Sequence, residues 1–183
     1  MKPALRRLFL ACLFLAGAAQ AQVQSDWERA NEDRLRQSGE KLVAPPPLNR
    51  ARLVELKQSL SSSSDFRYYV DWGSVSAGDD RIVRYALVAR SAAGVENITF
   101  EGLRCQGEYR VYAVGRPEGG WGGQPSEWRQ IPRNPNTAPP MLAKEYFCPG
   151  RAVVRTSAEA QQAIRAGGHP GAHRENRPIG EQH

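Results

Sequence analysis

Cys105 and Cys148, together with the carboxylates of Asp71, Glu101, Glu108, Glu127 and Glu145, are the side chains in the middle of this chain whose types could do chemistry. Paired carboxylates serve as general acid and base in hydrolysis, but on outward strand positions they are ordinarily solvated. Nucleophilic catalysis needs a base beside a Ser or Cys. All three histidines (His169, His173 and His183) fall at the C-terminal end, and no Gly-x-Ser-x-Gly elbow occurs. The same distribution leaves the two cysteines without further ligands for a metal. The expectation is therefore one structural disulfide, Cys105 to Cys148, with no metal and no cofactor. The loop it closes, about forty-four residues, corresponds to about 4 kcal/mol of chain entropy.

The reading of those cysteines depends on compartment. Lys2, Arg6 and Arg7 make a basic start, Leu8 to Ala18 an apolar run, and Ala19-Gln20-Ala21 a small-x-small cleavage pattern, so residues 1–21 read as a signal peptide and the mature chain begins at Gln22. An apolar run this short does not span a bilayer, which takes roughly 20 residues. A lipoprotein signal acylated at Cys12 is the rival reading, but Phe9 is a poor residue three before that cysteine and only four apolar residues would precede it. Cleavage leaves 162 of the 183 residues, enough for one domain. It also removes Cys12 and three of the 25 basic residues, which leaves 22 against 19 acidic ones, a net charge of +3. The expected location is extracytoplasmic, in the periplasm, with surface exposure left open. Nucleic acid is not expected as a partner in that compartment, and no membrane span is expected.

The elements around the cysteines read as one α+β domain. Residues 22–47 look polar, at best a surface helix with Trp27, Ala30 and Leu35 as its apolar points, followed by the stiff linker Pro45-Pro46-Pro47. The domain is placed at 48–168. Leu53 to Lys57 fits a helical turn or a strand, and strand is preferred. Arg67 to Trp72 has the aromatic and β-branched content of a strand. Ile82 to Arg90 alternates Val83, Tyr85, Leu87 and Ala89 against Arg84 and Arg90, as in a sheet with one buried face. Ile98 and Phe100 share one parity, Leu103 and Cys105 the other, which predicts a β-bulge at Glu101-Gly102. Tyr109, Val111 and Ala113 alternate again. Arg116 to Pro140 is irregular, with one short strand candidate at Glu127 to Ile131, and Leu142 to Phe147 is a helical turn or a strand. Thr156-Ser157-Ala158-Glu159 is a capping box that opens a helix, which Gly167-Gly168 stops. Residues 169–183 read as a disordered tail. The fold class is an antiparallel β-meander of about five strands with a C-terminal helix and one disulfide.

Val83 to Val88, Phe100 to Cys105, Tyr112 to Arg116, Glu127 to Ile131 and Glu145 to Pro149 resemble the CNP1-like family of exported bacterial proteins, in the same order. The resemblance implies no activity, substrate or catalytic residue, and it favours a strand at Leu53 to Lys57. In plan alone, a meander before one cysteine and a Trp-containing strand before the next, the chain is also similar to surface adhesins of the protein E type.

Arg110, Tyr112, Arg116 and Trp121 form the candidate interaction surface, a cationic and aromatic strip with Trp121 between two glycines. The competing reading makes Trp72 and Trp128 core residues and Arg110 a flank of the sheet. A non-enzymatic binding or structural module of the cell envelope is expected, its partner an envelope protein or a surface ligand. An adhesin-like surface protein and a periplasmic carboxylate-dependent hydrolase are the alternatives. If the disulfide is structural, Cys105→Ser and chemical reduction should lower the melting temperature by the same amount; an unchanged melting point under reductant would exclude it.

Overall fold

The computed structural model describes residues 27–57, 65–134 and 136–172. The expected signal peptide, residues 58–64 and the tail beyond residue 172 lie outside the described residues. Two long strands, Phe66–Ala77 (β2) and Ile82–Ser91 (β3), form a hairpin that continues into Glu96–Arg104 (β4) and Glu108–Gly115 (β5). Leu53–Glu55 (β1) adds to the free side of β2, which settles that segment as a strand. Trp121–Gly122 (β6) and Arg129–Gln130 (β7) both pair with β5, so β7 is what the Trp128-containing strand candidate becomes. Every pairing is antiparallel and the order follows the chain, β1-β2-β3-β4-β5-β6.

The fold is the α+β meander read from the sequence. Ala138–Met141 (α2) runs into a π-helical turn, Leu142–Phe147, that delivers Cys148 to its partner. The Cys105–Cys148 disulfide is formed, with the Cα atoms 5.6 Å apart. Ser157–Ala166 (α3) starts where the capping box placed it: Thr156 Oγ1 accepts from Glu159 N at 3.1 Å. Gly167 ends it with φ of 73°, and Gly168 N donates to Ala163 O at 2.9 Å. Residues 169–172, read as part of the tail, fold back, with His169 N donating to Glu145 O at 2.7 Å.

The sheet is buried on both faces. On one, Val83, Tyr85, Leu87 and Leu103 pack against Leu142, Tyr146 and Phe147 and against Ala160 and Ile164 of α3. On the other, Ala86, Phe100, Tyr112, Ala113 and Trp121 pack under Trp27 and Leu35, which belong to a helix at residues 27–37 (α1). The segment expected to be a surface helix and linker is thus a structural layer, with Trp27 4% and Leu35 1% exposed. Spacing explains it: positions 27, 31 and 35 recur every four residues and share one helix face, while the charges occupy the others.

The second layer also corrects two expectations about the strands. Arg84, read as an outward residue, is 1% exposed. The predicted bulge at Glu101-Gly102 is absent, because β4 pairs with β3 without a break from Glu96 to Arg104. Both parities of β4 face a core, Phe100 toward the N-terminal layer and Leu103 toward the C-terminal one. The bulge lies on β5, where Tyr112 has no partner between the pairs Glu101↔Val111 and Phe100↔Ala113. Gly102 is required for a different reason: a Cβ there would stand 2.5 Å from Tyr112 Cε2. Leu35→Ala should cost about 2–5 kcal/mol in urea unfolding, the range for emptying a packed aliphatic site; a change within measurement error would mean that α1 is not part of the core.

Candidate functional site

The four residues of the candidate surface divide into two places. Arg110 and Tyr112 point inward at a single carboxylate, Glu40, which the sequence reading left unassigned in its linker. Glu40 Oε1 receives Arg110 Nη1 at 2.6 Å and Trp128 Nε1 at 2.9 Å, and Oε2 receives the Tyr112 hydroxyl at 2.5 Å. Arg104 Nη2 stands 3.8 Å from Oε1. The cations are layered with rings: Arg104 lies 3.9 Å over Trp128, and Arg84 and Arg110 lie 5.4 and 5.3 Å from the Tyr112 ring. Arg110 also donates to Ser126 O, which holds the chain after β6 against β5.

Electrostatics make this cluster an anchor. Burial alone would raise the Glu40 carboxyl, but the hydrogen bonds from Tyr112 and Trp128 and the Arg110 charge outweigh it and hold the group below its ordinary value. Burial, with the Glu40 charge beside it, pushes the Tyr112 hydroxyl well up, so it stays a donor. Arg110 and Tyr112 are 4% and 1% exposed. They are not a surface strip.

Arg116 and Trp121 come together elsewhere, at a groove of about 640 Å³ between the proline segment and the turn after β5. Pro45, Pro47 and Leu48 form one wall, Gly115 to Trp121 the other, with Ile98, Arg50 and Glu96 also lining it. The turn closes through Arg116 N to Gly120 O at 3.1 Å, with φ of 95° at Gly119 and 78° at Gly120. Trp121, expected to be exposed, is 6% exposed: its ring meets Phe100 with centroids 6.0 Å apart, and its Nε1 donates to Pro46 O at 2.8 Å. That bond fixes the proline wall. Its far end is tied by Asn49 N to Asp71 Oδ2 at 2.9 Å, and its near end by Arg84 Nη2 to Lys41 O at 3.2 Å. Glu96 is gripped by Arg50 at 2.8 Å and Arg90 at 2.7 Å, whose hydrogen bonds lower its carboxyl. Arg116 is exposed, and its side chain makes no ion pair or hydrogen bond among the described residues.

The carboxylates considered for catalysis are scattered. Asp71 is buried against Arg52, Nε to Oδ1 at 3.0 Å. Glu108 accepts from Gln130 at 3.3 Å, Glu145 faces Lys144 at 3.3 Å, and Glu127 is exposed. Glu101 is the unusual one, 5% exposed and held, among the described residues, by hydroxyls alone, Tyr85 at 3.0 Å and Thr99 at 2.7 Å. Burial raises its carboxyl despite those hydrogen bonds. It lines neither the groove nor the smaller cavity beside it. Trp72 and Trp128, the proposed core tryptophans, are half-buried between arginines. Among the described residues, no three His, Cys, Asp or Glu side chains gather as metal ligands would, and no helix is long and apolar enough to cross a membrane.

The CNP1-like family matches residues 25–165, a span that takes in α1, the whole sheet and nearly all of α3. No curated protein and no solved structure matches the chain.

Glu40→Ala leaves the Arg110 guanidinium buried without its carboxylate and should cost about 3–5 kcal/mol in urea unfolding. The two buried glutamates should also act with opposite sign on pH dependence. Glu40 sits below its ordinary 4.5 in the fold, so its contribution is complete above that pH and drains away as the pH falls through the lower folded value. Glu101 sits above 4.5, so its ionisation costs stability as the pH rises from there to the folded value. Stability curves from acid to neutral pH should therefore flatten at the acid end in Glu40→Gln, while Glu101→Gln should gain on wild type with rising pH. Curves parallel to wild type in both variants would refute the assignments.

Proposed function

The chain belongs to the CNP1-like family, and we propose that it acts as a non-enzymatic binding module of the cell envelope through the groove beside Trp121. The groove carries this reading. Its volume of about 640 Å³ is within the range of ligand sites, its walls are fixed by hydrogen bonds at Pro46 and Asn49, and its cationic member Arg116 is free to meet a partner. Pro47, Leu48 and Ile98 offer apolar contact to an extended segment, and Arg116 favours an acidic group on it. The preformed walls reduce the ordering cost of binding. The partner class is an envelope protein or a surface ligand.

Export supports the same reading. The basic start, the apolar run and the cleavage pattern before Gln22 match a signal peptide, and a formed disulfide suits an oxidising compartment such as the periplasm. The carboxylates give less support to a hydrolase: Glu96 in the groove is clamped by two arginines, and the raised Glu101 does not line it.

Photo-crosslinking residues placed at Pro47 and Glu118, both exposed on the groove, test the proposal in living cells. Discrete adducts are expected from both, and none from Asp79 in the turn at the opposite end of the strands. The same adduct from Asp79, or none from the groove, would overturn it. Labelling of intact against permeabilised cells then assigns the periplasm or the outer surface.

A further inference from the structure

His169 stands just beyond the glycine stop of α3, and both nitrogens of its ring are engaged. Nδ1 receives the Gly171 N–H at 2.9 Å, and Nε2 lies 3.0 Å from Glu159 Oε1. A backbone N–H can only donate, so Nδ1 must carry a lone pair and the ring proton must sit on Nε2, aimed at the carboxylate. The geometry therefore selects one tautomer of the neutral ring. An imidazolium carries a proton on both nitrogens. Its Nδ1–H would meet the Gly171 N–H donor against donor.

One of the two contacts must then give way, and the surroundings decide which. Burial would raise the Glu159 carboxyl, but hydrogen bonds from Arg155 N and His169 outweigh it and hold the group below its ordinary value. Glu159 is also fixed by the capping box, with Oε2 accepting from Arg155 N at 2.7 Å and its own N donating to Thr156 Oγ1 at 3.1 Å. Its bond to the ring strengthens when the ring is charged. Gly171 belongs to a less constrained piece of chain, the turn 169–172, which closes through Ala172 N to His169 O at 3.0 Å. The turn rests on Pro149, whose Cβ lies 3.2 Å from where a Gly171 Cβ would stand. Around the ring, the charged groups are Glu159 and Arg165 on α3, Arg155 before it, Lys144 and Glu145 on the π-helical turn, Arg151 after Pro149 and Lys57 beside Gly167. Of these, Glu159 is the one paired with the ring.

We propose that His169 is a pH-sensitive latch: on taking up a proton the ring keeps Glu159 and lets go of Gly171, so that the turn lifts from Pro149. Pro149 follows Cys148, and the surface uncovered adjoins the disulfide. An exported protein meets the pH of its surroundings, which gives such a latch a signal to read. The latch and the groove are separate sites, and neither reading stands or falls with the other.

NMR of the full chain between about pH 8 and about pH 5 tests it. At the upper end the His169 ring nitrogens should show the proton on Nε2, and Gly171 should give contacts to Pro149. On acidification the Gly171 amide and the His169 ring should titrate together, the Pro149 contacts should disappear, and Gly171 protection, corrected for the intrinsic pH dependence of exchange, should fall by about threefold to tenfold, the loss of one hydrogen bond. The Glu159 amide should stay protected throughout. His169→Asn, which keeps an acceptor for Gly171 but takes up no proton, should hold the turn closed across the range, and His169→Arg, charged and without an acceptor, should leave it open across the range; protected α3 amides verify the fold of both. A proton on Nδ1 of the neutral ring, a Gly171 amide indifferent to the His169 titration, or the same acid response in His169→Asn would overturn the proposal, while the crosslinking result at Pro47 and Glu118 would be untouched.

Discussion

The rest of the structure depends on one carboxylate held charged inside the protein. Glu40 accepts hydrogen bonds from Arg110, Tyr112 and Trp128 at once, residues that lie 70 to 88 positions away in sequence. A buried ion pair of this kind contributes little net stability over an apolar replacement, but its geometry admits few alternatives. It fixes where the chain after α1 meets the sheet, and the next nine residues follow from that point. Lys41, Pro46 and Asn49 are then within reach of Arg84, Trp121 and Asp71, and the proline segment becomes a wall instead of a tether.

The bulge on β5 belongs to the same arrangement. Tyr112 breaks the alternation of its strand so that its hydroxyl can reach Glu40, and its ring crosses β4 where Gly102 leaves space. Without the extra residue, the even spacing of β5 would send one of Tyr112 and Ala113 to the opposite face, and both are needed in the N-terminal core. Local irregularity in one strand therefore serves a contact made with a segment outside the sheet.

Much of this was legible from local pattern. The meander followed from period-two alternation, α3 from Thr156 and Glu159 with Gly167, and the disulfide from the two cysteines that remain once Cys12 is set aside. The second layer was not, because its determinants are non-local. Glu40 in a polar stretch has no local mark that distinguishes it from a solvated glutamate. Two signals were nonetheless present. Trp27, Asn31 and Leu35 recur every four residues, and in β4 apolar side chains occupy both parities, which a sheet with one wet face does not need. The interaction strip is divided: Arg116 and Trp121 line the groove, Trp121 as a buried ring, while Arg110 and Tyr112 are internal because the alternation that seemed to turn them outward had a covering layer above it.

The disulfide joins the turn after β4 to the end of the π-helical turn, within the sheet and the C-terminal layer. Viewed as a graph of covalent links, the molecule is closed on one side only. The C-terminal layer is stitched to the sheet, whereas α1 and the proline segment join it by backbone continuity at a single end and otherwise by contacts that can be undone and remade. Both cavities lie along that reversible seam, so the part of the protein with room for a partner is also the part whose attachment is negotiable.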